Sequence, residues 1–155
     1  MKRAILATSA FLILFAAAGS TYAHCEIPCG IYDDSMRVDM LREHITTMEK
    51  SMNQIKELQA ADNINYNQLI RWTVNKEDHA NQFQDIVFQY FLTQRIKPVE
   101  SGADGYEAYR DKVETLHHLL VYAMKCKQTT DQANIDKLRS LVDKFADMYF
   151  ADHSH

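Results

Sequence analysis

Residues 35–59 read SMRVDMLREHITTMEKSMNQIKELQ. The apolar side chains Leu41, Ile45, Met48, Met52 and Ile55 return at steps of four, three, four and three, which lays them along one face of an α-helix. Asp33, Asp34 and Ser35 stand at its start. There a side-chain oxygen can cap a free backbone N–H, and negative charge suits the helix dipole. Ala60-Ala61-Asp62-Asn63 breaks the pattern.

The same period continues downstream. Asn65 or Asn67 opens a long second helix that runs to about Gln94, with Ile70, Val74, Phe83, Ile86, Val87, Tyr90 and Phe91 as its inner stripe. Lys97-Pro98 ends it, because the residue before a proline is driven out of helical geometry. Residues 98–105, with Gly102 and Gly105, form a loop. A third helix runs from about Tyr106 to Lys127, with Tyr109, Val113, Leu116, Leu120 and Met124 on one face. Thr129-Thr130-Asp131 makes a turn and cap, and a fourth helix carries Ile135, Leu138, Leu141, Val142, Phe145, Met148 and Tyr149. Asp152 to His155 is a polar tail. Four helices joined by short connections predict an all-α, antiparallel up-down four-helix bundle.

Composition agrees and excludes much else. The chain has 155 residues, 46% hydrophobic and 25% charged, which suits one globular domain. Only 4 Gly and 2 Pro are too few for a turn-rich all-β fold. A formal charge of −4 argues against a nucleic-acid partner. Phosphate-binding glycine loops, HExxH and the EF-hand pattern are missing from the sequence. The helices themselves offer little metal chemistry. The seven methionines fall mostly at core spacing and read as packing. Glu-x-x-His does not recur on two helices as a di-iron bundle requires, and His117-His118, being adjacent, point apart. Cys126, late in the third helix, reads as a buried or free thiol rather than a ligand.

The first 23 residues have another logic. Lys2-Arg3 is followed by an apolar run from Ile5 to Ala18 and then by Gly19-Ser20-Thr21-Tyr22-Ala23, the three-part layout of a secretory signal peptide. The run is shorter than the ~20 residues a membrane span needs. Thr21 and Ala23 suit a cut before His24, and Ala16 and Ala18 a cut before Gly19. The first cut leaves 15 basic and 21 acidic side chains, a formal charge of −6. The domain organisation expected is a signal peptide at 1–23, a metal-binding hook at 24–33 and the bundle at 34–155. The product is exported, periplasmic or extracellular, and leaves the membrane once processed.

Residues 24–33, His24-Cys25-Glu26-Ile27-Pro28-Cys29-Gly30-Ile31-Tyr32-Asp33, hold two of the three cysteines. One reading is a small Cys25–Cys29 disulfide loop in an oxidising compartment, on a non-enzymatic exported bundle with at most a metal-carrying role. A zinc half-site is weaker, because a second ligand pair is not evident. A third reading uses the new terminus. After a cut before His24, the α-amine, the Cys25 amide nitrogen and the Cys25 sulfur lie on adjacent chelate rings. Pro28 turns the chain and Gly30 permits tight geometry, so Cys29 can return a second sulfur. Two nitrogens and two sulfurs in a plane favour Ni(II) or Cu(II), leaving the His24 imidazole for an axial position.

The pattern His24-Cys25-x-x-Pro28-Cys29-Gly30-x-Tyr32 resembles the N-terminal hook of the nickel-containing superoxide dismutases. The resemblance extends more loosely through Arg71 to Glu77 and to Lys97-Pro98. It implies a four-helix bundle behind the hook and one nickel ion per subunit, held by His24, Cys25 and Cys29. It implies that two superoxide anions become oxygen and hydrogen peroxide as nickel alternates between Ni(II) and Ni(III), with thiolate and amide donors stabilising the higher state. It implies that Tyr32 stands at the mouth of the site, ordering solvent and anion. Asp39 is the candidate acidic partner for the His24 imidazole. The register set by Arg71 and Glu77 puts His79 where family members carry an arginine behind that acid. Lys97 is the candidate for guiding the anion, since the net charge alone repels it. The family also implies a homo-oligomer, a hexamer of bundles.

Overall fold

The computed structural model describes residues 33–151, and every regular element among them is helical. Helix α1 spans Asp34–Gln59, α2 Tyr66–Asp85, α3 Tyr106–Gln128 and α4 Gln132–Ala151. A π-helical segment, Ile86–Arg95, continues α2. Residues 1–32, where the signal peptide and hook are expected, and the tail from Asp152 lie outside the described residues.

Local chemistry sets the helix ends. The Asp33 carboxylate accepts from the Ser35 N–H at 3.1 Å and caps α1. Asn65 accepts from the Gln68 N–H at 3.2 Å and caps α2. The Asp131 carboxylate accepts from the Ala133 N–H at 3.0 Å where α4 begins. Gly105, just ahead of α3, has φ +83°, a left-handed conformation that L side chains adopt only with strain.

Cross-links along the helices give the topology. His44 meets His79 and Ser51 meets Asn75, so α1 and α2 run antiparallel. Lys76 meets Lys127 while Gln84 meets Leu120, which sets α3 antiparallel to α2. Arg42 reaches Asp143, Glu49 reaches Arg139 and Asn53 reaches Gln132, so α4 closes the ring against α1. The expected up-down bundle is the fold observed.

The centre is filled by Leu41, Ile45, Met48 and Met52 from α1, Phe83 from α2, Phe91 from the π-helical segment, Leu116 and Leu119 from α3, and Leu138 and Phe145 from α4. Phe91 packs edge-on against both Phe145 and Tyr149.

Two expected stripes shift. On α3 the buried face is Leu116, Leu119, Ala123 and Cys126, while Met124 is 42% exposed. Apolar residues flank both sides of this helix, and the small Ala123 and Cys126 occupy the inner side. On α2, Ile70 and Val74 are exposed at 63% and 51% rather than buried. The cause is length. Lys76, the first buried residue of α2, sets its ammonium on the backbone carbonyls of Lys127 and Thr129, where α3 ends. Residues 66–75 therefore project past α3 by about 15 Å at 1.5 Å per residue.

Candidate metal centre

The chain enters the described structure at Asp33, directly before α1. His24, Cys25, Pro28, Cys29, Gly30 and Tyr32 lie outside the described residues. The structure therefore shows what stands where the hook would join the bundle.

A four-residue polar cluster stands there. The first residue of α1, Asp34, accepts hydrogen bonds on Oδ1 from the Tyr90 hydroxyl and from Arg95 Nη2 at 2.7 Å. Its Oδ2 accepts from the Tyr149 hydroxyl at 2.6 Å. Arg95 Nη2 also donates to the Tyr90 oxygen at 2.8 Å, and the guanidinium lies 5.0 Å from the Tyr90 ring centroid. Arg37 approaches the same ring at 4.8 Å. The π-helical register makes this possible. Tyr90 and Arg95 are five residues apart, which is the hydrogen-bonding interval of a π-helix, whereas in an α-helix they would point about 140° apart.

Electrostatics follow the geometry. Burial alone would raise the Asp34 pKa, but hydrogen bonds from Tyr149, Tyr90 and Arg95 outweigh it and hold the carboxyl below its ordinary range. Burial and the bond to Asp34 push both tyrosine hydroxyls up, so they remain protonated donors. Burial opposes the Arg95 charge, and its bonds to Tyr90 and Asp34 more than offset that.

Asp39 lies five residues further along α1, exposed, in a 3.0 Å ion pair with Arg42. Arg42 also holds Asp143 of α4 at 3.0 Å. Asp39 and Arg42 line an open hollow of about 400 Å³ between the first turns of α1 and the last of α4, with Ser35, Ala146 and Phe150. His79 is on the other side of α1. Its Nδ1 is 2.9 Å from Nδ1 of His44, a buried residue, so one ring donates and the other accepts. Burial and the neighbouring His79 lower the His44 pKa. Asp39 and His79 are thus each engaged with a different partner, and the structure does not bring them together. Lys97 is exposed, two residues beyond Arg95, which places it at the same end of the bundle as Asp34.

Among the described residues no three or more His, Cys, Asp or Glu side chains converge. Cys126 is free and buried in the core, and burial pushes its thiol up to about 11, so it is not a thiolate at neutral pH. His117 and His118 are both exposed, with ring centroids 6.3 Å apart. The other two cysteines of the chain are Cys25 and Cys29.

The family model for nickel-containing superoxide dismutase matches residues 19–153. The chain belongs to the nickel-containing superoxide dismutases. It is a nickel-dependent oxidoreductase whose substrate is superoxide. Neither a curated protein nor a solved structure matched the chain.

Sequence reasoning missed the roles of Asp34, Tyr90, Arg95 and Tyr149. Asp34 read as a dipole acid and the two tyrosines as core. The one available signal was the five-residue spacing of Tyr90 and Arg95, which has no meaning in an α-helix. His44 was also missed. It sits with Ser51, seven residues on, beside Leu41, Met48 and Ile55 on the inner face, where a polar side chain calls for a partner.

Proposed function

We propose that the nickel of this superoxide dismutase is held by the α-amine and imidazole of His24, the Cys25 amide nitrogen and the sulfurs of Cys25 and Cys29. What supports this is that, among the described residues, no ligand cluster gathers and Cys126 is buried in the core. The family match begins at residue 19 and so spans these positions.

Bound there, nickel would supply the redox chemistry between Ni(II) and Ni(III), by which one superoxide is oxidised to oxygen and another, with two protons from solvent, is reduced to hydrogen peroxide. The protein side chains do the remaining work. Pro28 and Gly30 turn the hook so that Cys29 returns beside Cys25. Tyr32 orders solvent and anion at the mouth. Asp39 serves as acidic partner of the His24 imidazole. Its present bond to Arg42 is an exposed ion pair of the kind worth ~0–1 kcal/mol, so it is readily exchanged. The His44 contact occupies Nδ1 of His79, which leaves Nε2 to face another group. Lys97, exposed at the same end of the bundle as Asp34, offsets the acidic surface that repels superoxide.

The domain plan that fits is a signal peptide at 1–23, a hook at 24–33 and the bundle at 34–155. Cleavage of the signal peptide before His24, coupled to export, would create the amine ligand. The subunits assemble as a homo-oligomer, a hexamer by family resemblance. Tyr66, Ile70 and Val74, one turn apart and exposed on the projecting part of α2, support such an interface.

A native intact-mass spectrum of the exported protein tests the proposal. The expected species begins at His24 and carries one nickel per chain. A chain beginning at Gly19, or one at His24 with a Cys25–Cys29 disulfide and no nickel, would overturn it.

A further inference from the structure

We propose that Asp34 is a positioning residue for the nickel hook: clamped by Tyr90, Arg95 and Tyr149, it fixes the point at which the hook leaves the bundle. The inference rests on the hook carrying the metal.

The cluster exceeds what a helix start requires. Asp33 already caps α1 through the Ser35 N–H. A dipole acid at the next position needs no partner at all. Yet Asp34 takes bonds from Tyr90 and Arg95 on one neighbouring element and from Tyr149 on another. All four residues are buried or half-buried, with the Asp34 side chain 17% exposed and that of Arg95 33%. These bonds are charge-assisted and shielded from water, the setting in which a hydrogen bond restrains most. The π-helical register exists over the stretch that delivers Tyr90 and Arg95 to one carboxylate.

The placement gives the clamp its consequence. Asp34 is two residues after Tyr32 and five after Cys29. Residues 24–33 have one covalent attachment to the bundle, and it passes through Asp34. With that point fixed, less backbone freedom remains to be lost when residues 24–33 bind a metal. With the clamp loosened, the covalent attachment of residues 24–33 would no longer be held at one point.

The test uses the processed chain beginning at His24, nickel-free and reduced. Nickel affinity is measured by competition with a chelator, and the bound form by visible circular dichroism, which reports the surroundings of the donors. Asp34→Asn is expected to weaken nickel binding about tenfold, the scale of ordering one to two further residues, and to change the visible spectrum. Tyr149→Phe, which keeps the ring in the core and removes one donor, is expected to give a smaller change of the same kind. Glu49→Gln, which breaks an α1–α4 ion pair fifteen residues along α1 from Asp34, controls for general destabilisation and should change neither. Asp34→Asn within twofold of wild type, or Glu49→Gln weakened to the same extent, would overturn the anchor. A wild-type chain starting at His24 that binds no nickel would instead overturn the hook reading beneath it.

Discussion

Tyr149 donates a 2.6 Å hydrogen bond to Asp34 and so ties the last turns of α4 to the first residue of α1. The bond lies among buried groups, and the carboxylate it meets has already been desolvated. Removing the hydroxyl in Tyr149→Phe is expected to cost ~1–3 kcal/mol, the range for depriving a buried charged acceptor of one donor. Urea unfolding at neutral pH measures it, and a midpoint equal to wild type would show the bond to be worth nothing. The pH dependence has a definite sign. The folded carboxyl is held below its ordinary range, so its contribution is complete above ~3.9 and fades as pH falls through the lower folded value. Asp34→Asn should therefore flatten the acid limb of stability against pH.

The His44–His79 contact predicts a second pH dependence nearer neutrality. Burial and the neighbouring ring lower the His44 pKa, so below ~6.5 the unfolded chain takes up a proton that the folded one resists. Stability is complete above that value and declines as pH drops. The wild-type urea midpoint should fall between pH 7.5 and 5.5, and His44→Gln should reduce the fall. An equal slope in both proteins would remove His44 as its source.

Thiol reactivity separates the three cysteines. With its pKa near 11 and no access to solvent, Cys126 should stay unreactive toward a thiol reagent at pH 7.5 until denaturant is added. The nickel-free, reduced native protein should show two reactive thiols, and the nickel-loaded protein none that react rapidly. Stripping the metal with a chelator should raise the count from none to two. Three fast thiols in the native state would mean that the α3 face is open.

Val74 is half exposed on the projecting part of α2, in line with Tyr66 and Ile70. Placing a charge there should leave the subunit fold within ~0.5 kcal/mol of wild type, as for ordinary surface changes. It should nonetheless break an assembly that buries the stripe. Sedimentation velocity of Val74→Glu is expected to show a smaller species. An unchanged sedimentation coefficient would remove this stripe from the interface.

The helices were legible from residue spacing because helix periodicity is local. Leu41, Ile45, Met48, Met52 and Ile55 all went where the steps of three and four sent them, and Asn65 and Asp131 cap as their chemistry predicts. The second stripe failed at Ile70 and Val74 for a non-local reason. The period says which side of α2 is apolar, but only the end of α3, met by Lys76, says how much of that side has a neighbour.

The hook proposed at 24–33 was likewise read from the sequence, since its candidate donors His24, Cys25 and Cys29 fall within six residues of one another. What surrounds it was not. Asp34 meets Tyr90, Arg95 and Tyr149 across 56, 61 and 115 positions, and His44 meets His79 across 35. Such meetings depend on how far each helix slides and turns against its neighbours, which is fixed by the packing of the whole core. The sequence by itself determined the four helices and carries the motif from which the nickel ligands are proposed. The tertiary structure decided which carboxylate is clamped and which histidine is paired, because those choices depend on the register between helices, to which the period within each one is blind.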